Sequence, residues 1–252
     1  MLEKKVSRLD RKIDDLRKRV KGTEDLQTAS EVFDRPTLMS LYHLAKRGYI
    51  DTLYGVVKTG KEANVFRATS ASGDDVAVKI YRVATSDYNA MFKYLHGDPR
   101  FGRVRRDRRS IVYTWVKKEF KNLTRARDAG ATVPEVLAFR NNVLVMEFLG
   151  EDGIPYPMLK DWELEDPRGF FDSLMREVKA IYCGAGLVHS DLSEYNILVK
   201  DERPIIIDMS QAVLRDHPHS QEFLKRDVAN LARFFKNEGV SEKAIMELLK
   251  GC

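Results

Sequence analysis

The chain has 252 residues, 43% of them hydrophobic, and 43 Lys and Arg against 38 Asp and Glu give it a formal net charge of +5. That length can bury a sizeable core, as one large domain or two lobes sharing a cleft, and no apolar run approaches the roughly 20 residues that span a bilayer. Cys183 and Cys252 are too few for a disulfide framework or a four-ligand zinc site, and the charged start "MLEKKVSRLDRK" has no apolar signal core, so a cytoplasmic chain with no membrane partner is expected.

Leu2, Val6, Leu9, Ile13, Leu16 and Val20 alternate in steps of four and three, which predicts a helical seam ended by Gly22. It is short for an independent coiled coil and would lie on its own protein or in a partner's groove. "DRP" predicts a second helix, with Asp34 as cap, Pro36 in the first turn, Leu38, Leu41 and Leu44 on its apolar face, and Gly48 at its stop. From Leu53 the period changes, and "TLYGVVKTG", "EANVFRATS" and "DVAVKIYR" read as three strands. A polar stretch follows, with six arginines in residues 100–109. These either neutralise RNA phosphates or form a solvated, mobile loop.

"SIVYTWVKKEFKNLTRARDAG" reads as a helix, and "VPEVLAFRNNVLVMEFLG" as a hairpin turning at Asn141-Asn142. Beyond the junction "EDGIPYP" the pattern is mainly helical, over residues 170–181, 221–237 and 242–250. Cys183 is expected as a small core residue. Two short strands around "NILV" and "PIIID" interrupt these helices. Five strands and one helix followed by a mostly helical half predict an α+β protein with two lobes.

Three stretches carry chemistry. "GVVKTGKE" nearly matches G-x-x-x-x-G-K followed by Ser or Thr, but Glu62 stands where a hydroxyl would ligate Mg²⁺, and "ANVFRA" reads as a strand where that motif needs a helix. The remaining readings are a glycine hairpin folded over phosphates and a plain turn. "VAVKIY" puts Lys79 on a strand face shared with Ala77 and Tyr81, so it is not a simple solvated lysine. Glu119 in "WVKKEFKNL" lies on the apolar side of its helix with Trp115, Val116 and Leu123. It is either the carboxylate that fixes such a lysine or a surface residue. In "HSDLSEYN", Asp191 and Asn196 have the separation of the kinase catalytic loop H-R-D-x-x-x-x-N, and Asp208 in "IIIDMS" stands where a later metal-binding Asp is needed.

Together, "TGKEANVF", "AVKIYR", "KKEFKNL", "MEFLGEDG", "LVHSDLSEYNIL" and "IIDMSQAV" closely resemble the RIO family of atypical serine/threonine protein kinases. The match is closest to its first subfamily, in the compact archaeal form, and covers nearly everything after about residue 30. The resemblance implies a two-lobed protein-kinase-like fold that binds ATP and Mg²⁺, with a small β-rich N-lobe and a mainly helical C-lobe lacking the peptide-docking subdomains. It divides the chain into an N-terminal helical extension (1–50), an N-lobe with a basic insert at about 83–109 (51–149), and a truncated C-lobe (150–252).

By motif position, Thr59, Gly60, Lys61, Glu62, Ala63, Asn64 and Val65 would form a reduced phosphate loop. Lys79 would bind phosphates with Glu119 as its partner, and the backbone of Glu147 and Leu149 would meet adenine. Asp191 would be the catalytic acceptor, with Asn196 and Asp208 as metal ligands. Asp208 would also be an aspartyl-phosphate candidate. Ser210 stands where the family usually has Gly, which makes a large backbone flip there less favourable. The family is associated with serine/threonine phosphorylation, ATP hydrolysis and maturation of the small ribosomal subunit, so that subunit or its RNA is the expected partner. The alternative reading is a nucleotide-sensing, RNA-binding scaffold with little catalysis.

Overall fold

The computed structural model describes residues 33–84, 86–102 and 104–251. The heptad seam expected over residues 2–20 lies outside the described residues. The chain divides into two compact units: one takes residues up to 88, 106–116 and 136–148, the other 89–105, 117–135 and 149 onwards. Among the described residues no helix is long and apolar enough to cross a membrane.

The first unit is built on a five-stranded antiparallel sheet. Its strands are β1 (Thr52–Thr59), β2 (Ala63–Thr69), β3 (Asp75–Tyr81), β4 (Val136–Arg140) and β5 (Val143–Glu147), in the order β1-β2-β3-β5-β4. β3 is central and buried on both faces from Val76 to Tyr81, which is why its sequence reads as an unbroken apolar run around Lys79. Helix α1 (Arg35–Lys46) begins where expected: the Asp34 carboxylate accepts the Thr37 N–H at 2.9 Å, a cap worth about 1 kcal/mol. Leu41 and Leu44 of α1 join Ile50, Leu53, Phe66, Val78 and Val145 in one apolar core. The hairpin between β4 and β5 turns at Asn141, whose φ of 53° suits Asn.

The stretch expected to be a polar loop contains α2 (Tyr88–Leu95) and a 3₁₀ turn, Pro99–Phe101. Met91, Tyr94 and Leu95 of α2 are buried, with Tyr94 stacked on Phe223 at 4.8 Å between ring centroids. These α2 residues recur at i, i+3 and i+4 and form the helix's buried apolar face. Helix α3 (Arg108–Asp128) starts in the first unit and ends in the second.

The second unit continues with the two-residue strands β6 (Gly150–Glu151) and β7 (Ile154–Pro155), then α4 (Pro167–Lys179). α4 begins three residues before the expected start, because Asp166 caps it by accepting from Gly169 N–H at 2.9 Å and Pro167 opens its first turn. A π-helical turn, Ala180–Gly184, follows; Cys183 there is half-buried rather than a full core residue. Next come β8 (Leu187–Val188), β9 (Ile197–Lys200), β10 (Arg203–Ile206), β11 (Val213–Leu214), α5 (Ser220–Phe234) and α6 (Glu242–Leu249). β9 and β10 form an antiparallel hairpin, while β8 pairs with β11. Asp201 and Glu202 both take positive φ, as a two-residue type I′ turn requires.

Candidate active site

Antiparallel pairing sets the geometry of the second unit. Ile197 at the start of β9 lies opposite Ile206 at the end of β10, so the residue before one strand neighbours those after the other. Asn196 is that first residue, and its carbonyl accepts the Ile207 N–H at 3.0 Å. Asp208 follows directly. It does not end its own strand, as the sequence suggested: β10 stops at Ile206 and Asp208 turns away at φ 61°. A non-glycine residue there costs about 1–3 kcal/mol and persists only where its surroundings impose it.

Asn196 is buried, and its Nδ2 donates to the Asp191 carbonyl at 2.8 Å and to the Asp191 carboxylate at 3.1 Å. These bonds bring Asp191 and Asn196 together and fix the amide through its Nδ2. Asp191 and Asp208 are both half-buried. Carboxylate and amide oxygens are hard donors that suit Mg²⁺, which takes few protein ligands and completes its shell with phosphate and water. The donor set therefore fits that ion. Among the described residues no cluster of three or more His, Cys, Asp and Glu offers an all-protein metal site.

Residues absent from the sequence expectation hold this loop. Ser190, just before Asp191, has φ 71°. Its N–H donates to Asp227 Oδ2 at 2.7 Å, the Leu192 N–H donates to Asp227 Oδ1 at 2.9 Å, and its carbonyl accepts from Arg226. One carboxylate thus spans the residue on each side of Asp191. The signal was available in the sequence: Asp227 occupies the apolar face of α5, at helical spacing between Phe223 and Leu231. His189, also buried, donates from Nε2 to the Ile207 carbonyl at 3.1 Å and so pins the approach to Asp208.

Burial pushes the Asp227 carboxyl up to about 7, against the downward pull of the Leu192 and Ser190 N–H groups and of Arg226. The folded chain keeps a proton on Asp227 at pH values where the unfolded chain has released it. Its contribution to stability is therefore full below about pH 4 and is lost as pH rises through about 7. Asp227→Asn removes that titration. The stability difference between wild type and variant is expected to shift by about 2–4 kcal/mol against the wild type between pH 5 and pH 8. Urea unfolding at both pH values measures it, and parallel curves for the two proteins would contradict the assignment.

A second set of buried polar groups seats the turn after Asp208. Lys118 Nζ donates to the carbonyls of Ser210 at 2.8 Å and Ala212 at 2.6 Å. Asn122 Nδ2 donates to those of Met209 and Ala212, each at 2.8 Å. Burial and the nearby Arg100 hold the Lys118 ammonium well below the usual lysine range, partly offset by Asp98 and Glu119. Arg100 Nη1 donates to Asn122 Oδ1 at 2.8 Å, and its guanidinium pairs with the buried Asp98 at 2.6 Å. Arg100, expected in a cluster that either faces RNA or forms a solvated loop, is thus a half-buried structural group. Arg105, Arg106, Arg108 and Arg109 are exposed, and Arg103 lies outside the described residues.

In the first unit, Lys79 is 6% exposed with its ammonium 5.1 Å from the Tyr81 ring centroid, on the face expected for it. The segment of residues 59–65 runs from the end of β1 through the turn at 60–62 into β2. Gly60 N–H donates to the Ala63 carbonyl at 3.0 Å, and a Cβ on Gly60 would meet that oxygen at 3.0 Å, closer than most side chains come to a neighbour. A strand rather than a helix follows Glu62, which removes the P-loop reading. Asn64, in β2, is fully buried. Its Oδ1 accepts from Arg82 at 3.1 Å, while its Nδ2 has no hydrogen-bond partner. Glu119 is buried in the second unit, and Glu147 ends β5 with an exposed side chain. The Leu149 carbonyl accepts the Tyr156 N–H at 3.0 Å.

The RIO domain family profile matches residues 64–248. The RIO-type serine/threonine-protein kinase Rio1 of Methanocaldococcus jannaschii is 45% identical over 240 residues, 94% of this chain and 82% of the relative. The protein of the same name from Haloferax volcanii is 43% identical over 232 residues, 92% of this chain and 80% of the relative. Among solved structures, the Rio2 kinase–ADP/Mg²⁺–phosphoaspartate complex from Chaetomium thermophilum superposes with a TM-score of 0.62 at 23% identity, covering 85% of this chain and 66% of that one. That likeness gives the fold, which is kinase-like, with a β-sheet unit and a mainly helical unit. The chain therefore belongs to the RIO domain family of protein kinases, beside the archaeal Rio1 proteins.

Proposed function

We propose that the chain is an ATP- and Mg²⁺-dependent atypical serine/threonine kinase and ATPase that phosphorylates itself and acts in maturation of the small ribosomal subunit. The observation that carries this reading is the Asn196 amide bridging to both the backbone and the carboxylate of Asp191, beside the strand end that leads to Asp208. Asp191 accepts the proton of the attacking hydroxyl, while Asn196 and Asp208 hold Mg²⁺, which neutralises charge on the phosphates when bound. In the first unit, residues 59–65 and Lys79 take the phosphates; the backbone of Glu147, and of Leu149 at the start of the second unit's last segment, meets the adenine. The phosphoaspartate in the name of the Rio2 complex supports Asp208 as a transient phosphate carrier.

The test begins with Lys79→Ala. A cation held on a buried strand loses little to water, so removing a charge-assisted contact is expected to weaken ATP binding by roughly 1.5–3 kcal/mol. Calorimetric titration at fixed Mg²⁺ and salt measures it, and unchanged affinity would remove Lys79 from the site.

The exposed arginines favour an RNA partner over a purely catalytic role for the insert. Replacing Arg105 and Arg106 by Gln is expected to weaken binding to small-subunit RNA and to flatten its salt dependence, since fewer counterions are released. Unchanged affinity and salt slope would leave the cluster a solvated surface.

A further inference from the structure

The orientation of the Asp208 carboxylate is set from outside its own strand. The terminal torsion of an Asp side chain is broad, so the backbone alone does not aim its oxygens. Ser210 Oγ donates to Asp208 Oδ1 at 2.8 Å, and Ser210 is only 4% exposed, so bulk water does not compete for that bond. The Ser210 carbonyl is in turn held by Lys118, and its neighbours Met209 and Ala212 by Asn122. Ser210 is not among the residues with positive φ, so a serine sits there without backbone strain.

We propose that Ser210 is a positioning residue: its hydroxyl, seated by the Lys118–Asn122 clamp, fixes the rotation of the Asp208 carboxylate so that it meets Mg²⁺ in one preset orientation. The inference rests on reading Asp208 as a metal ligand.

The test uses the full chain with Ser210→Ala and Ser210→Gly, Mn²⁺ as the probe cation and ADP present. Cation occupancy is followed by electron paramagnetic resonance, beside a Mg²⁺ titration of ATP turnover. Both variants are expected to need roughly tenfold more cation for half-occupancy, the scale of one lost hydrogen bond to a charged group. The thermal midpoint should stay near wild type, and Ser210→Thr should restore the cation midpoint. An unchanged Mn²⁺ midpoint in the Ala and Gly variants overturns the proposal, as does a lowered thermal midpoint with no change in cation affinity. Asp208→Asn separates the two levels. If it binds Mn²⁺ like the wild type, Asp208 is not a ligand and both readings fall. If it loses Mn²⁺ while the Ser210 variants do not, only the role of Ser210 falls.

Discussion

Asp191→Ala is expected to lower phosphoryl transfer by about 10²–10⁴-fold while leaving Mg²⁺–ATP affinity near wild type, because removing a positioned proton acceptor costs that much in rate and little in binding. The structure explains why binding should survive. Asn196 Nδ2 donates to the Asp191 backbone carbonyl as well as to its carboxylate, so alanine keeps one of the two bonds that orient the amide. Ser190 and Leu192 on either side stay tied to Asp227, and the loop keeps its path. Single-turnover transfer from labelled ATP, with a nucleotide titration of the same protein, measures both quantities. Near-normal transfer would remove Asp191 from catalysis. A large loss of affinity would instead make it part of the phosphate and metal cradle.

The sequence showed the framework of both units and the residues that belong to motifs. β3 was legible because burial on both faces leaves a nearly unbroken apolar run, and the β4–β5 hairpin because Asn-Asn tolerates the positive φ of the turn. Asp191, Asn196 and Asp208 were legible as a spacing, but the spacing did not show what holds them. Lys118, Asn122 and Asp227 are polar residues on buried helix faces, where hydrophobic periodicity counts them as misplaced surface. Their partners are carbonyls and N–H groups up to about 90 residues away in sequence, and no local pattern records those bonds. Arg100 misled in the opposite direction. It reads as one of six arginines in a basic run, yet it is half-buried and tied to Asp98 and Asn122. Helix α2 was missed although Met91, Tyr94 and Leu95 recur at helical spacing, because it is only eight residues long and runs into the basic stretch that follows.

Asp208→Asn carries the largest expected chemical consequence, because Asp208 is read both as a metal ligand and as the carrier of a phosphoryl group. A carboxylate beside the γ-phosphate can act as a nucleophile. On the proposed reading its oxygen would bond to the γ-phosphorus as the bond to the bridging oxygen breaks and ADP departs. Water would then attack the phosphorus and the acyl oxygen would leave as a carboxylate, returning Asp208 unchanged and yielding inorganic phosphate. The geometry favours this residue as acceptor: it is half-buried, pinned at the Ile207 carbonyl by His189 and at its own Oδ1 by Ser210. Wild-type protein quenched during turnover is therefore expected to carry label that survives mild acid and is released by hydroxylamine or base. Asp208→Asn should carry none and should lower turnover at least as far as Asp191→Ala, by about 10²-fold or more. Label found only on serine or threonine would leave Asp208 a metal ligand and nothing more. Acyl-phosphate persisting in Asp208→Asn would place the carrier on another carboxylate.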